Sequence, residues 1–218
     1  MSIRNKYEAE LNTVFNKLIT MCRYVEIAIE KSINSLVHRD KVLAKEVIKE
    51  DKGVDNLEHE IEQDCLRILL MEQPVASDFR DVSAALKMIT DLERIADQAA
   101  DISELTFQFG DAEFIKEPVH IITMAKLAGE MVKDSVQSYI NRDVELARSL
   151  DARDERVDEL FIVIKNELVE LIKKDGDNAD QAILFMMIAK YIERIGDHAV
   201  NIGEWVEYAI TGYHKMAD

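Results

Sequence analysis

The 218-residue sequence has little glycine, proline or cysteine, and it has no long apolar run. Its 7 Gly and 2 Pro exclude an all-β sandwich or another loop-rich fold, because such folds need a turn residue at every connection. The longest apolar run is the eight residues 182–189, whereas a membrane helix needs roughly 20. Both cysteines, Cys22 and Cys65, fall in apolar helical patterns, so we expect buried thiols and no disulfide or zinc framework.

The sequence is strongly acidic. Lys and Arg number 27 against 43 Asp and Glu, which gives a formal net charge of −16. Phosphate repels such a surface, so nucleic acid is excluded as a partner, while cations and basic protein surfaces are allowed. A hydrophobic content of 48% excludes a disordered chain. The segment behind Met1 has no apolar signal core, so we expect a soluble, cytoplasmic protein.

Apolar periodicity predicts long helices. From Leu11 to Leu36, apolar side chains recur every three or four positions, which is typical of a helix buried along one side. Asp40 is expected to cap a second helix, and Gln73-Pro74-Val75 to end it, because a proline disfavours helix at the preceding residue. Asp78 is expected to cap a third helix that runs to about Gln108.

The pattern then starts again after a linker at residues 110–118. Asp40 and Asp51 match Asp143 and Asp154 at an offset of 103, and residues 93–104 match residues 193–204 at seven of twelve positions. We therefore predict an all-α fold of two tandem three-helix bundles related by a pseudo-twofold axis. Their predicted extents are 1–109 and 119–218.

The repeated segment carries a stripe of acidic residues. On a helical wheel, Glu93, Asp97, Asp101 and Glu104 fall within about 80° of each other, and the apolar side chains lie on the opposite side. The second copy has Glu193, Asp197, Asn201 and Glu204 at the matching positions. Each stripe should therefore face away from its own core.

The second helix of each repeat adds an Asp-x-x-x-Asp pair, Asp51 with Asp55 and Asp154 with Asp158. In antiparallel helices, Asp55 and the Glu93/Asp97 pair lie at about the same height, roughly 30 Å from the turn that joins their helices. The second repeat gives the same arithmetic. Each bundle should thus bring four carboxylates together.

Two interpretations of these carboxylates compete. One is a solvated acidic face. The other is a cation site, because Arg94 and Arg194 point about 100° away from the stripes and would not neutralise them. All-oxygen ligands suit Mg, Ca, Mn or iron and disfavour a structural zinc. The Glu-x-x-His signature of di-iron bundles is absent, and His198 is expected to be a surface histidine.

Three segments resemble the PhoU family, the accessory regulators of bacterial phosphate-specific transport. They are residues 73–80 (QPVASDFR), 91–97 (DLERIAD) and 191–202 (YIERIGDHAVNI), and with the duplication the resemblance covers essentially the whole chain. Departures from the family pattern are Phe79 for Leu, Ala96 for Gly and Asp101 for Asn.

The resemblance implies two three-helix bundles with metal sites on their surface, iron being expected ahead of Mn, Mg, Ca or Zn, in multinuclear clusters. The implied ligands are Asp51, Asp55, Glu93 and Asp97, then Asp154, Asp158, Glu193 and Asp197, with Asp101, Glu104, Asn201 and Glu204 as weaker candidates.

It also implies a non-enzymatic negative regulator of phosphate uptake and phosphate-starvation signalling. Such a regulator contacts the membrane phosphate ABC transporter and its sensor histidine kinase. A homodimer is left open. The alternatives are a carboxylate-bridged metalloenzyme, such as an oxidase or phosphatase, and a metal-free helical scaffold.

Overall fold

The computed structural model describes residues 3–71, 74, 76–110 and 113–213, which form six long α-helices and no strand. The helices are α1 (Ile3–His38), α2 (Lys41–Met71), α3 (Ala76–Thr106), α4 (Val119–Asn141), α5 (Val144–Lys174) and α6 (Ala179–Thr211). Short 3-10 turns cover Phe107–Phe109 and Gly176–Asn178. The predicted all-α fold of two three-helix bundles is confirmed.

The start of α3 differs from the prediction. The helix begins at Ala76, and Asp78 lies inside its first turn, so the expected cap at Asp78 is wrong. An acidic residue in a first turn still interacts favourably with the positive end of the helix dipole. Gln73 and Val75 of the predicted break lie outside the described residues, as do residues 111 and 112 of the linker.

The first turn of each repeat is built in the same way. The carboxylate of Asp40 accepts hydrogen bonds from the backbone N–H groups of Val42 and Leu43 at 2.9 and 3.0 Å, which confirms the predicted cap. Asp143 caps α5 likewise. The residues before them, Arg39 and Arg142, have φ angles of 53° and 54°, the left-handed conformation that commonly ends a helix.

The two bundles run in opposite directions. Arg142 Nη1 lies 2.9 Å from both carboxylate oxygens of Asp81, which fixes the α4–α5 turn against the beginning of α3. At the other end, the guanidinium of Arg39 lies 4.3 Å from the ring centroid of Phe114, beside the start of α6. The α1–α2 and α4–α5 turns thus lie at opposite ends, as a pseudo-twofold axis requires.

Both bundles contribute to one continuous core. Helices α3 and α6 lie side by side, α2 and α5 flank them, and α1 and α4 pack behind. Fully buried side chains include Leu18, Leu92, Met124 and Phe185. Cys22 and Cys65 are free and buried, which confirms the expected buried thiols. None of the helices in the described part of the chain has the length and apolar character needed to cross a bilayer.

Candidate metal centres

Carboxylates from α2 and α3 meet on the surface of the first repeat. Asp51 and Asp55 lie one turn apart on α2, and Glu93 and Asp97 lie one turn apart on α3. Burial raises the pKa of Asp51 to about 6, and the negative charges of its three predicted partners add to the effect. Charges shift a pKa this way only at short range, so the structure brings the first predicted set together.

The second repeat assembles the matching set between α5 and α6. Burial raises the pKa of Asp154 to about 7, and the charges of Asp197, Asp158 and Glu193 raise it further. The pKa of Asp197 is also raised, by burial first and then by Glu193. These shifts agree with the level-matching arithmetic from the sequence, and the assignment of the carboxylates as ligands stays a prediction.

Both sets contain buried carboxylate oxygens without a hydrogen-bond partner among the described residues. Asp51 Oδ1 and Asp154 Oδ1 occupy matching positions in the two repeats, and the second set also has Glu193 Oε2, which forms the ion pair with Lys190. A buried acceptor without a partner is costly, and a hard cation coordinated by oxygen atoms would satisfy it. The donor chemistry of both sets thus fits a metal ion of this class.

Helices α5 and α6 approach each other closely beside the second set. A Cβ atom on Gly196 would lie 2.6 Å from Asp154 Oδ1, and one on Gly203 would lie 3.1 Å from the carbonyl oxygen of Ala147. In the first repeat, the position of Gly196 is taken by Ala96, which is buried. Glycine on α6 therefore lets the Asp154 carboxylate lie directly against that helix.

Basic side chains lie closer to the carboxylates than the sequence suggested. Arg94 approaches Asp97 at 3.1 Å and Glu93 at 3.4 Å, and Lys190 forms an ion pair with Glu193. The expectation that Arg94 would not neutralise the stripe is wrong, because its long side chain bends back over one turn. As they stand, no three His, Cys, Asp or Glu side chains within the described ranges are arranged to hold a metal ion. The ligand set therefore stays a prediction, and binding would require these ion pairs to open.

The weaker candidates on the same stripes are Asp101 and Glu204, which are half-buried, and Glu104 and Asn201, which are exposed. Two of them lie where α3 meets α6. Burial and the charge of Glu104 raise the pKa of Asp101, whereas the Tyr191 hydroxyl of α6 lowers it. Asn201 Nδ2 lies 3.4 Å from Asp91 Oδ1. These contacts between repeats compete with any role as metal ligands.

A histidine also belongs to this contact between the repeats. His198 Nδ1 lies 2.8 Å from Asp91 Oδ1 and is half-buried. The prediction of a surface histidine is therefore wrong. No pattern along the chain indicates the pair, because its members lie 107 positions apart and meet only when the bundles pack.

Sequence reasoning also missed two acidic neighbours of the sets. The charge of Glu58 contributes to the raised pKa of Glu93, and the charge of Asp151 contributes to that of Asp154. A signal for both was present, since Glu58 follows Asp55 by three positions and Asp151 precedes Asp154 by three. Residues three apart on a helix are neighbours.

Comparisons with known proteins agree with this architecture. The family model of the PhoU domain matches residues 18–106 and again residues 121–206. The phosphate-specific transport system accessory protein PhoU homologue of Clostridium acetobutylicum is 33% identical over 210 residues, with 96% of each chain covered. Its Deinococcus radiodurans counterpart is 34% identical, with 96% of this chain and 99% of that one covered.

Solved structures show the same fold. The crystal structure of PhoU from Pseudomonas aeruginosa superposes with a TM-score of 0.90 at 31% identity, covering 95% of this chain and all of the other. The regulatory protein PhoU from Streptococcus pneumoniae gives 0.90 at 25% identity, with 97% of this chain covered. With both repeats matched and relatives similar over nearly its whole length, the chain belongs to the PhoU family.

Proposed function

We propose that this chain is a cytoplasmic accessory protein of phosphate-specific transport. It represses phosphate uptake and phosphate-starvation signalling when phosphate is plentiful, by contacting the membrane phosphate ABC transporter and its sensor histidine kinase. Support comes from the names of its relatives, which match this chain nearly end to end. In this role the chain is an adaptor and not an enzyme.

The adaptor function includes metal binding, with iron expected first. The single observation that carries this part is the pair of matching buried oxygens, Asp51 Oδ1 and Asp154 Oδ1, each inside a set of carboxylates. The holding residues would be Asp51, Asp55, Glu93 and Asp97 in one site and Asp154, Asp158, Glu193 and Asp197 in the other. A bound cation supplies the positive charge that lets these carboxylates remain ionised side by side. The sets would then fix the spacing of α2 from α3 and of α5 from α6.

The metal part is tested by analysing untagged protein purified without chelator. We expect stoichiometric metal in the wild type, loss of the metal of one site in Asp97→Ala or Asp197→Ala, and loss of both in the double variant. Glu170→Ala is the control, because Glu170 is exposed on α5 away from the sets. Substoichiometric metal in the wild type, with unchanged thermal stability on chelation, would contradict metal binding.

The adaptor part is tested separately by co-purification from membranes that contain the phosphate transporter and its kinase, with and without phosphate. We expect both partners to be recovered with the full chain, more of them when phosphate is abundant. Recovery of neither partner in either condition would refute the adaptor role. Turnover of phosphoesters, or of Fe(II) with oxygen, would instead favour the metalloenzyme.

A further inference from the structure

A cleft of about 500 Å³ opens between α1 and α2 of the first repeat and reaches α3. Its walls are mainly apolar, with Ala28, Val47, Val54 and Ala96 at the inner side and Tyr24 and Ile27 at the rim. Pockets of this size accommodate a ligand or an anchoring side chain. The proposed transport role does not require this cleft. The first proposed metal site shares Asp51 with it, so a metal ion and a ligand of the cleft would compete for that carboxylate.

The cleft exists because two positions have small residues where the second repeat has large ones. Ala28 corresponds to Met131 of α4, whose side chain is fully buried. Gly53 corresponds to Arg156, and a Cβ atom built on Gly53 would meet nothing within 4 Å. The missing side chains leave open, in the first repeat, the space that Met131 fills in the second.

The charges around the cleft select its occupant. Lys31 is already paired with Glu46 at 2.5 Å and Glu50 at 2.9 Å, and Lys49 is exposed at the rim. Asp51 lines the cleft and is the carboxylate whose Oδ1 has no hydrogen-bond partner among the described residues. The cleft therefore combines apolar walls with a carboxylate that lacks a complementary donor.

We propose that this cleft receives a basic side chain, arginine or lysine, from an apolar helical segment of a partner protein. The apolar stem of such a side chain suits the walls, and its cationic head complements Asp51. A free small amine would leave the rim in water, where Tyr24 is 48% and Ile27 36% exposed, whereas a helix would cover both residues. A second copy of this chain is disfavoured, because each copy has a net charge of −16.

The test uses a fluorescein-labelled amphipathic helical peptide of Leu, Ala and Arg, with a Leu, Ala and Glu peptide of the same pattern as its control. Binding to the full chain is measured by fluorescence anisotropy at about 0.15 M salt, with EDTA present so that metal has no influence. We expect the Arg peptide to bind and the Glu peptide not to bind. Ala28→Met, which fills the cleft as Met131 fills the second repeat, should weaken binding at least about tenfold.

Three further variants make the result specific. Tyr24→Ala should weaken binding about threefold and Asp51→Asn about tenfold, the first by removing the rim and the second by removing the charge. Ala152→Met, at an exposed position of α5, should leave binding unchanged. Thermal melting confirms that each variant is folded.

Unchanged binding to folded Ala28→Met would overturn the proposal, because it would reduce the effect to general attraction by an acidic surface. Failure of the Arg peptide to bind the wild type would also overturn it. Self-association that Ala28→Met abolishes, measured by sedimentation, would identify a second copy as the occupant and likewise overturn the proposal.

Discussion

The two repeats have carboxylates at the same positions, but the helices that carry them pack differently. In the second repeat α5 lies close against α6, because Gly196 and Gly203 provide no Cβ at the points of contact. In the first repeat the same positions are Ala96 and Ser103, both buried. The packing between helices therefore differs, while the level-matched acidic sets are present in both.

The outer contacts differ as well. Lys31 of α1 pairs with Glu50 of α2, whereas at the matching positions Asp134 of α4 pairs with Arg153 of α5 at 2.6 Å. The two ion pairs have opposite polarity, and the cleft at Ala28 lies beside the first of them. Since packing and ion pairs vary between repeats, neither explains why both repeats have carboxylates facing each other. This difference favours a ligand-binding role for the acidic sets over a purely structural one.

The largest expected effect on stability comes from exchanging the residues at one matching position, Ala28 beside the cleft of the first repeat and Met131 in the core of the second. Met131→Ala should destabilise the protein by about 3 kcal/mol, because it leaves a cavity in a packed core. Ala28→Met should change the free energy of unfolding by less than about 1 kcal/mol, since the new side chain enters existing space. Thermal melting followed by circular dichroism should show a Tm about 6–12 °C lower for Met131→Ala.

Equal destabilisation by the two variants would contradict the difference in packing between the repeats. It would mean that the space beside Ala28 is closed in solution. A stability gain with Ala28→Met would sharpen the comparison, because it would show that the first repeat lacks buried apolar contacts that the second one has.

A smaller effect should follow from neutralising the buried aspartate of each set. In metal-free protein at about pH 8, Asp154→Asn and Asp51→Asn should each raise the free energy of unfolding by about 1 kcal/mol, a figure reduced for partial solvent exposure. The folded-state pKa values, about 7 for Asp154 and about 6 for Asp51, lie above the ordinary 3.8. The wild type therefore loses stability as the pH rises through these values, because its folded state binds the proton more tightly than its unfolded state.

The measurement is urea unfolding in EDTA from about pH 4 to about pH 8. The advantage of each Asn variant over the wild type should shrink as the pH falls and vanish near the ordinary aspartate pKa. It should begin to shrink at higher pH for Asp154→Asn than for Asp51→Asn. A gain that does not depend on pH would show that repulsion between carboxylates is not its cause.

Much of this comparison could be predicted from the sequence because it depends on spacing along single helices. The 3.6-residue period places Glu93 and Asp97 on one face, and the length of each helical hairpin brings Asp55 to their level. The same arithmetic holds for the second repeat. Helix periodicity and the offset between repeats were therefore sufficient for the fold and for the two acidic sets.

The features that the sequence could not provide depend on side-chain reach and on packing between bundles. Arg94 bends back onto its own stripe, although its Cα–Cβ direction points elsewhere. His198 meets Asp91 only after α6 packs on α3. The cleft at Ala28 arises from volumes on three helices at once, which a pattern along one helix does not encode.

The smallest expected effect concerns the two ion pairs of opposite polarity. A double-mutant cycle with Asp134→Ala and Arg153→Ala should give a coupling energy of about 0.5–1 kcal/mol, and one with Lys31→Ala and Glu50→Ala should give less. The side chains of Arg153 and Asp134 are 25% and 34% exposed, whereas Glu50 is 51% exposed.

Lys31 also keeps Glu46 as a second partner when Glu50 is removed, which reduces the coupling that its cycle can show. Urea unfolding of the four proteins in each cycle provides the energies, and both couplings should fade at about 1 M salt because exposed charges are screened. Equal couplings, or couplings that persist at high salt, would mean that exposure does not set the strength of these pairs. The opposite polarity of the two ion pairs would then have no effect on stability. In that case the cleft in the first repeat would be due only to the small residues Ala28 and Gly53.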